Sequence, residues 1–208
     1  LCTAVASREK GDPSKDFVPL LVDYRERAYA KGSIPPTFTR REGAPKDREI
    51  LAMRVIDRTL RPLFPKGWSQ ETMIQSIVLA SDLDQDPAVL CVNACSAALT
   101  ISSIPWDGPI GACRVAVMKS GSICVNPTFQ ECDEASLVFF YAGNYDRALM
   151  IEAHANDESG VSEKDVARAL LAAHDAARAL IEPQLELKKK LDLKAIENNK
   201  MPKAKQEV

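Results

Sequence analysis

The sequence predicts an α/β fold of βαβ-like units and hairpins, and three observations carry that expectation. Short apolar runs bounded by turn residues alternate with segments of helical spacing. With 208 residues, 46% hydrophobic and 27% charged, the chain can bury one sizeable core with room for a small appendage. No apolar run is long enough to cross a bilayer, so no membrane span is expected.

Taken in order, residues 1–6 and 17–24 read as strands, and Gly32, Pro35 and Pro36 place a loop after the second. A helix rich in arginine then runs to Arg61, where Pro62 terminates it. Residues 73–80 have strand character and end in the acidic turn SDLDQDP. Residues 88–102 form an apolar helix of small residues, suited to close packing on a sheet, that stops before Pro105. Residues 110–118 and 122–125 flank KSGS as one hairpin, and residues 137–142 and 147–154 flank GNYD as another. Ser162 and Asp165 then open a helix whose Val166, Leu170, Ala173, Ala177, Leu180 and Ile181 keep helical spacing up to Pro183. Beyond it the lysine-rich stretch can be helical to about residue 197 before a frayed tail or linker. Residues 1–182 thus form the core and 183–208 begin a separate helical segment. There is no initiator Met and the chain opens inside a strand, as expected of a fragment or a processed product.

Charge narrows the partners. The formal charge of −2 gives no global basic signature, but residues 183–208 hold seven Lys against four acidic groups, leaving −5 on residues 1–182. Nucleic-acid contact on the core is therefore expected from a local patch. Six cysteines at positions 2, 91, 95, 113, 124 and 132 contain no CxxC pair and read as reduced thiols of the cytosol, mitochondrial matrix or plastid stroma. Cys91 and Cys95, one helical turn apart, read as core thiols.

The run FTRREGAPKDREILAMRVIDRTLRPLFP at 38–65 is the most informative part of the chain. Arg40 and Arg41 fall in a loop. Arg54, Arg58 and Arg61 recur at i, i+4 and i+7 on one helical face, with Ile50, Met53, Ile56 and Leu60 turned elsewhere. Guanidinium forks suit phosphate oxygens, so loop and stripe together form a cradle for a polyphosphate or nucleic-acid backbone. The competing reading is a solvated helix whose arginines pair with Asp47, Glu49 and Asp57.

Four ordered blocks carry a family resemblance: FVPLLVDYRERAYAKGSIPPTFTRREG, REILAMRVIDRTLRPLFPKG, SAALTISSIPWDGPIGACRV and VNPT. Over residues 1–181 the chain resembles the first ribonuclease PH-type core of the polynucleotide phosphorylase family. That resemblance implies the ribonuclease PH fold, an α/β domain related to the ribosomal protein S5 second-domain fold, followed by the start of an all-helical segment. It also implies a start lacking the family's first strand or two, with the second core and the KH and S1 domains outside this sequence.

The family degrades RNA from its 3′ end by phosphorolysis, so the resemblance implies single-stranded RNA and inorganic phosphate as partners, assembly as a homotrimer, and Mg²⁺ held in the second core. The first core mainly grips RNA and builds the ring. Phe38, Arg40 and Arg41 match the loop at the mouth of the family's central channel and are the expected RNA-binding residues. Thr39 and Ala44 depart from the family, which often has an aromatic and an arginine there, so the grip on RNA should be weaker. Arg54, Arg58 and Arg61 match the IDRxxRP block, with an anion or RNA-backbone site in the pseudo-active cleft as one role and bridging to Asp23, Asp57 or backbone carbonyls as the other.

Counting back from Ala142 and Gly143, the family's two metal-binding aspartates fall on Gln130 and Ser136, so neither catalytic nor metal-ligating residues are expected in this chain. Glu131, Asp133 and Glu134 read as a solvated acidic turn. His154 and His174 lack partners at catalytic or metal spacing, the two glycines of GPIGACR fit no phosphate loop, and Trp68 and Trp106 read as partly exposed. Three functions fit: an RNA-binding, ring-forming core of a phosphorolytic exoribonuclease; a non-catalytic derivative serving as a structural part of an RNA-processing assembly; or an autonomous phosphorolytic enzyme working through Arg54, Arg58 and Arg61. The blocks are closest to organellar members, giving the mitochondrion as expected compartment, with plastid or bacterial cytoplasm as alternatives.

Overall fold

The chain runs β1 (Cys2–Ala6), β2 (Leu20–Glu26), a 3-10 turn (Ala28–Lys31), α1 (Asp47–Leu60), β3 (Thr72–Val78), α2 (Pro87–Thr100), β4 (Gly111–Met118), β5 (Ile123–Val125), α3 (Phe129–Glu134), β6 (Ala135–Gly143), β7 (Ala148–Ala155) and α4 (Glu163–Lys190). The structure, a computed structural model, describes residues 1–9, 11, 17–156 and 160–191.

Two sheets result. In β1-β3-β2, strands β2 and β3 are parallel, as a crossover through α1 requires, and β1 adds antiparallel to β3. The second sheet, β5-β4-β6-β7, is antiparallel throughout. Every position of β6, reading ASLVFFYAG, is buried, so both faces of this sheet must be covered. On one face Ala112, Phe140 and Ala142 join the core made by α1, α2 and the first sheet. On the other, Cys113, Val115, Leu137, Phe139 and Tyr141 pack on Ala169, Ala173 and Ala177 of α4. The order is thus sheet, helix pair, sheet, helix. Ile56, Leu60, Ile74, Val92 and Leu99 lie at the centre of the first core, each contributing about 1.5–3 kcal/mol over an exposed side chain.

Small residues on α4 let it approach the sheet closely. A Cβ on Gly111 would lie 1.9 Å from the Ala177 carbonyl oxygen, so β4 can begin there only with glycine. α2 starts on Asp86, whose side chain accepts the Ala88 amide at 3.1 Å, with Pro87 at the first helical position.

Several expectations are revised. β2 begins at Leu20, and Phe17 is exposed outside it. On α1 the buried set is Glu49, Ala52, Ile56, Thr59 and Leu60, while Ile50 is 44% exposed, because the helix turns a wider face between the two sheets than an apolar stripe suggests. The acidic turn at 131–134 is instead helix α3, opened by Thr128, whose hydroxyl accepts the Glu131 amide at 3.2 Å. The pattern TFQE was the signal for it. α4 does not stop at Pro183 but runs to Lys190. Pro183 has no N–H for the turn above, yet the side-chain amide of Gln184 donates to the carbonyls of Leu180 at 3.0 Å and Ile110 at 2.8 Å, and tertiary contacts carry the helix through. Residues 192–208, including the end of the lysine-rich stretch, lie outside the described residues.

Candidate nucleic-acid loop and cleft

The loop between the 3-10 turn and α1 is tied at its base. Thr37 donates its hydroxyl to the Arg41 carbonyl at 2.8 Å and accepts the Arg41 amide at 3.2 Å, while the Arg40 amide donates to the Thr37 carbonyl at 2.8 Å. These bonds close a tight turn in which Arg40 adopts a left-handed φ of 50°. Next to it, Glu42 accepts the Ala28 amide and the Arg27 guanidinium, the latter at 2.6 Å. The amide first and the guanidinium second hold the Glu42 carboxyl below its ordinary range.

Phe38 is fully exposed, and Arg40 and Arg41 are exposed with no carboxylate partner among the described residues. Below the loop a depression of about 460 Å³ is lined by Arg25, Arg27, Lys31, Arg41, Lys46 and Arg48 with Glu26, Glu42 and Glu49 among them.

The arginine stripe lies elsewhere. Arg54 and Arg58 flank a separate shallow depression with Val22, Met53 and Asp57. Arg61 is consumed structurally: it grips Asp57 at 2.6 and 2.9 Å and donates to the carbonyls of Val18 at 2.6 Å and Leu20 at 3.1 Å. The bridging role foreseen for this block is therefore the one Arg61 plays. The other two are exposed without ion-pair partners among the described residues. Loop and stripe do not form one cradle, since they border different depressions.

Nor does the stripe enter the large cleft of about 610 Å³ between α1, α2 and the second sheet. α1 lines it through Arg48, Leu51, Ala52 and Val55, and none of Arg54, Arg58 and Arg61 borders it. The cations that reach this cleft, Arg48 and Arg114, escaped the sequence reading. Arg48 lies 3.2 Å from Glu26 and 3.5 Å from Asp86, and stacks over Phe129 at 5.2 Å; Arg114 lies 2.5 Å from Asp86. Both are already countered by carboxylates. Their partners come from other elements of the fold, at no periodic spacing from either arginine, so only the fold could pair them.

Gln130 and Ser136, taken from the sequence as the counterparts of two metal ligands, are both off the cleft. Gln130 is exposed on α3 and donates to Glu134 at 3.0 Å, and Ser136 is buried in β6. The cleft is bordered instead by Cys132, Asp133, Val138, Phe140, Glu152 and His154. Glu131 is occupied in capping, with its carboxyl lowered by the Thr128 amide and hydroxyl. Among the described residues no three His, Cys, Asp or Glu side chains converge in a way that could hold a metal ion. His174 shares a hydrogen with the Tyr141 hydroxyl through Nδ1 at 2.8 Å, and Trp68, expected to be partly exposed, is buried and donates to Thr72 at 2.9 Å.

An α/β core of two sheets around a helix pair, with an arginine-bearing loop and a cleft at its seam, defines the class, and comparison places it. The family described as "3' exoribonuclease family, domain 1" matches residues 1–105, and "3' exoribonuclease family, domain 2" matches residues 108–176. The chain belongs to this ribonuclease PH family. It is 48% identical over 181 residues to Polyribonucleotide nucleotidyltransferase 2, mitochondrial, of Arabidopsis thaliana, covering 87% of this chain and 18% of that protein. It is 45% identical over 194 residues to the mitochondrial counterpart of Oryza sativa, covering 90% and 19%, and 44% identical over 201 residues to the Polyribonucleotide nucleotidyltransferase of Aquifex aeolicus, covering 97% and 25%. The chain thus spans a fifth to a quarter of the length of these relatives. Rice Rrp46 shares the fold, with a TM-score of 0.62 at 14% identity over 90% of this chain and 80% of that one.

Proposed function

We propose that these residues form the RNA-gripping, ring-building first core of a 3′-to-5′ phosphorolytic exoribonuclease of the polyribonucleotide nucleotidyltransferase type, acting in RNA degradation and processing. The observation that carries this reading is a contrast in the state of the arginines. Arg40 and Arg41 stand exposed beside Phe38 on a tied loop, free to meet phosphates and a base. Arg48 and Arg114, the cations of the cleft, are spent on Glu26 and Asp86. The first arrangement binds a single strand; the second does not stabilise charge building on a phosphate in displacement.

On this reading the chemistry, with Mg²⁺ and the inorganic phosphate that attacks the chain, belongs to a second core outside these 208 residues. What supports this division is that no three His, Cys, Asp or Glu side chains converge among the described residues. Arg54 and Arg58 add an outer anion or RNA-backbone contact. Three copies of the whole protein close a ring, and the names of the plant relatives favour the mitochondrion.

The deciding experiment incubates this chain with 3′-labelled RNA, phosphate and Mg²⁺ or Mn²⁺. Binding without release of nucleoside diphosphate is expected. Metal-dependent release abolished by Asp133→Asn or Glu152→Gln would place the chemistry in this cleft and overturn the reading. Sedimentation of the whole protein should give a trimer.

A further inference from the structure

The contact between β1 and α2 is made partly by sulfur. Cys2, paired in register with Ser76, places its Sγ 3.6 Å from Cys95 Sγ, 3.1 Å from Ser76 Oγ and 3.9 Å from the Cys91 carbonyl oxygen. Cys91 and Cys95 stand one turn apart on α2, so both thiols face the strand. Their exposures differ: Cys95 is fully buried, Cys91 nearly so, and Cys2 is partly open to solvent.

Acidity divides the same way. Hydrogen bonding by Cys91 and then Cys95 draws the Cys2 thiol well below its ordinary range, while Cys95 is pushed up by its bond to Cys2 and by burial. Cys113, by contrast, gives its thiol to the Ala173 carbonyl at 3.4 Å and is pushed up to about 12 by burial. A partly exposed nucleophile with a second, buried sulfur directly behind it is the arrangement of a peroxide-reactive dithiol.

We propose that Cys2 and Cys95 are an oxidation site for hydrogen peroxide that closes to a disulfide between β1 and α2. The Cys2 thiolate attacks one peroxide oxygen, the O–O bond breaks, and the leaving hydroxide takes a proton to become water. Cys2 is then a sulfenic acid. Cys95 sulfur attacks Cys2 sulfur, the S–S bond forms as the S–O bond breaks, and the departing hydroxide takes the Cys95 proton. Two thiols and one peroxide give one disulfide and two waters. The sulfurs must close from 3.6 Å to about 2.04 Å to form the bond. Neither thiol borders the RNA loop or the cleft, so the site is independent of the function proposed above.

The test treats the 208-residue chain with one equivalent of hydrogen peroxide, alkylates the remaining thiols and maps peptides without reduction. A Cys2–Cys95 linked pair, four alkylated cysteines and a thermal midpoint raised by about 5 °C and restored by dithiothreitol are expected. Cys95→Ser should leave Cys2 as a sulfenic acid that dimedone captures, and Cys91→Ser should leave the link intact. Six alkylated cysteines, a link through Cys91, or Cys2 carried to sulfinic acid without any link would overturn the proposal.

Discussion

Gln184 stands directly after the proline inside α4, and its side-chain carbonyl accepts the Ser96 hydroxyl at 2.6 Å. The same hydroxyl accepts the Ile110 amide at 3.0 Å, so one buried cluster joins α2, the start of β4 and α4. Every member is satisfied, which is why so polar a group is tolerated in the interior. Ser96→Ala leaves the Ile110 amide and the Gln184 carbonyl unpaired, and urea unfolding should show a loss of about 1–3 kcal/mol. Ending the chain at residue 182 removes Gln184 altogether and should cost at least as much.

The exposed loop gives the sharpest functional expectation. Changing Arg40 and Arg41 together to Ala should weaken single-stranded RNA binding and lower the slope of log affinity against log salt by about one to two units. Circular dichroism should be unchanged, since both side chains are exposed. An unaltered slope in a trimeric preparation removes this loop from the path of RNA.

Asp86 does two jobs at the cleft, capping α2 and countering Arg48 and Arg114. Asp86→Ala should reduce stability by about 1–3 kcal/mol in a denaturant titration. Asp86→Asn keeps an oxygen for the cap but frees the Arg114 guanidinium in the cleft, while Arg48 stays paired with Glu26 at 3.2 Å. Calorimetric titration with pyrophosphate should then show binding stronger than in the unmodified chain.

Glu42 ties the loop that carries Phe38, Arg40 and Arg41 to the core through a carboxyl whose pKa is depressed by the Ala28 amide and Arg27. A group lowered in the folded state contributes fully above its unfolded pKa, about 4.3, and that contribution is lost as pH falls through the folded value. Emission from a Phe38→Trp reporter should therefore hold steady from neutral pH down to the ordinary glutamate range and change only below it. Glu42→Gln in the same background should abolish the acid transition.

Gly111→Ala tests the packing of α4. Its methyl would meet the Ala177 carbonyl at 1.9 Å, backbone that cannot swing aside. A loss of about 1–3 kcal/mol in thermal or urea unfolding is expected. If Ala is accepted at no cost, α4 does not sit in direct contact with the start of β4.

Periodicity made one helix face legible: the helical spacing of Val166, Ala173, Ala177 and Ile181 marks the side of α4 that packs inward, whereas residues 137–142 read only as one arm of a hairpin and gave no sign that β6 is covered on both faces. The sequence also placed Arg40 and Arg41 in a loop, as the structure does, because Gly32, Pro35 and Pro36 are local signals. What it misplaced was relational. Proline at 183 is a valid local stop signal, and only a glutamine reaching Ile110, 74 residues back, overrides it. Arg48 gave no sign of its role because Glu26 and Asp86 are brought to it by β2 and α2 rather than by spacing along α1.

α2 is covered by β1 and β3 on one side and by β4 and α4 on the other. Neither matched stretch, 1–105 or 108–176, therefore owns a closed interior. Cut away from β4 and α4, residues 1–105 would carry Val92, Cys95 and Leu99 on a helix with one wall missing. The two halves named by sequence comparison are thus one unit when heated: they should melt together in a single calorimetric peak, and a cut between them should release two sticky pieces instead of two small domains.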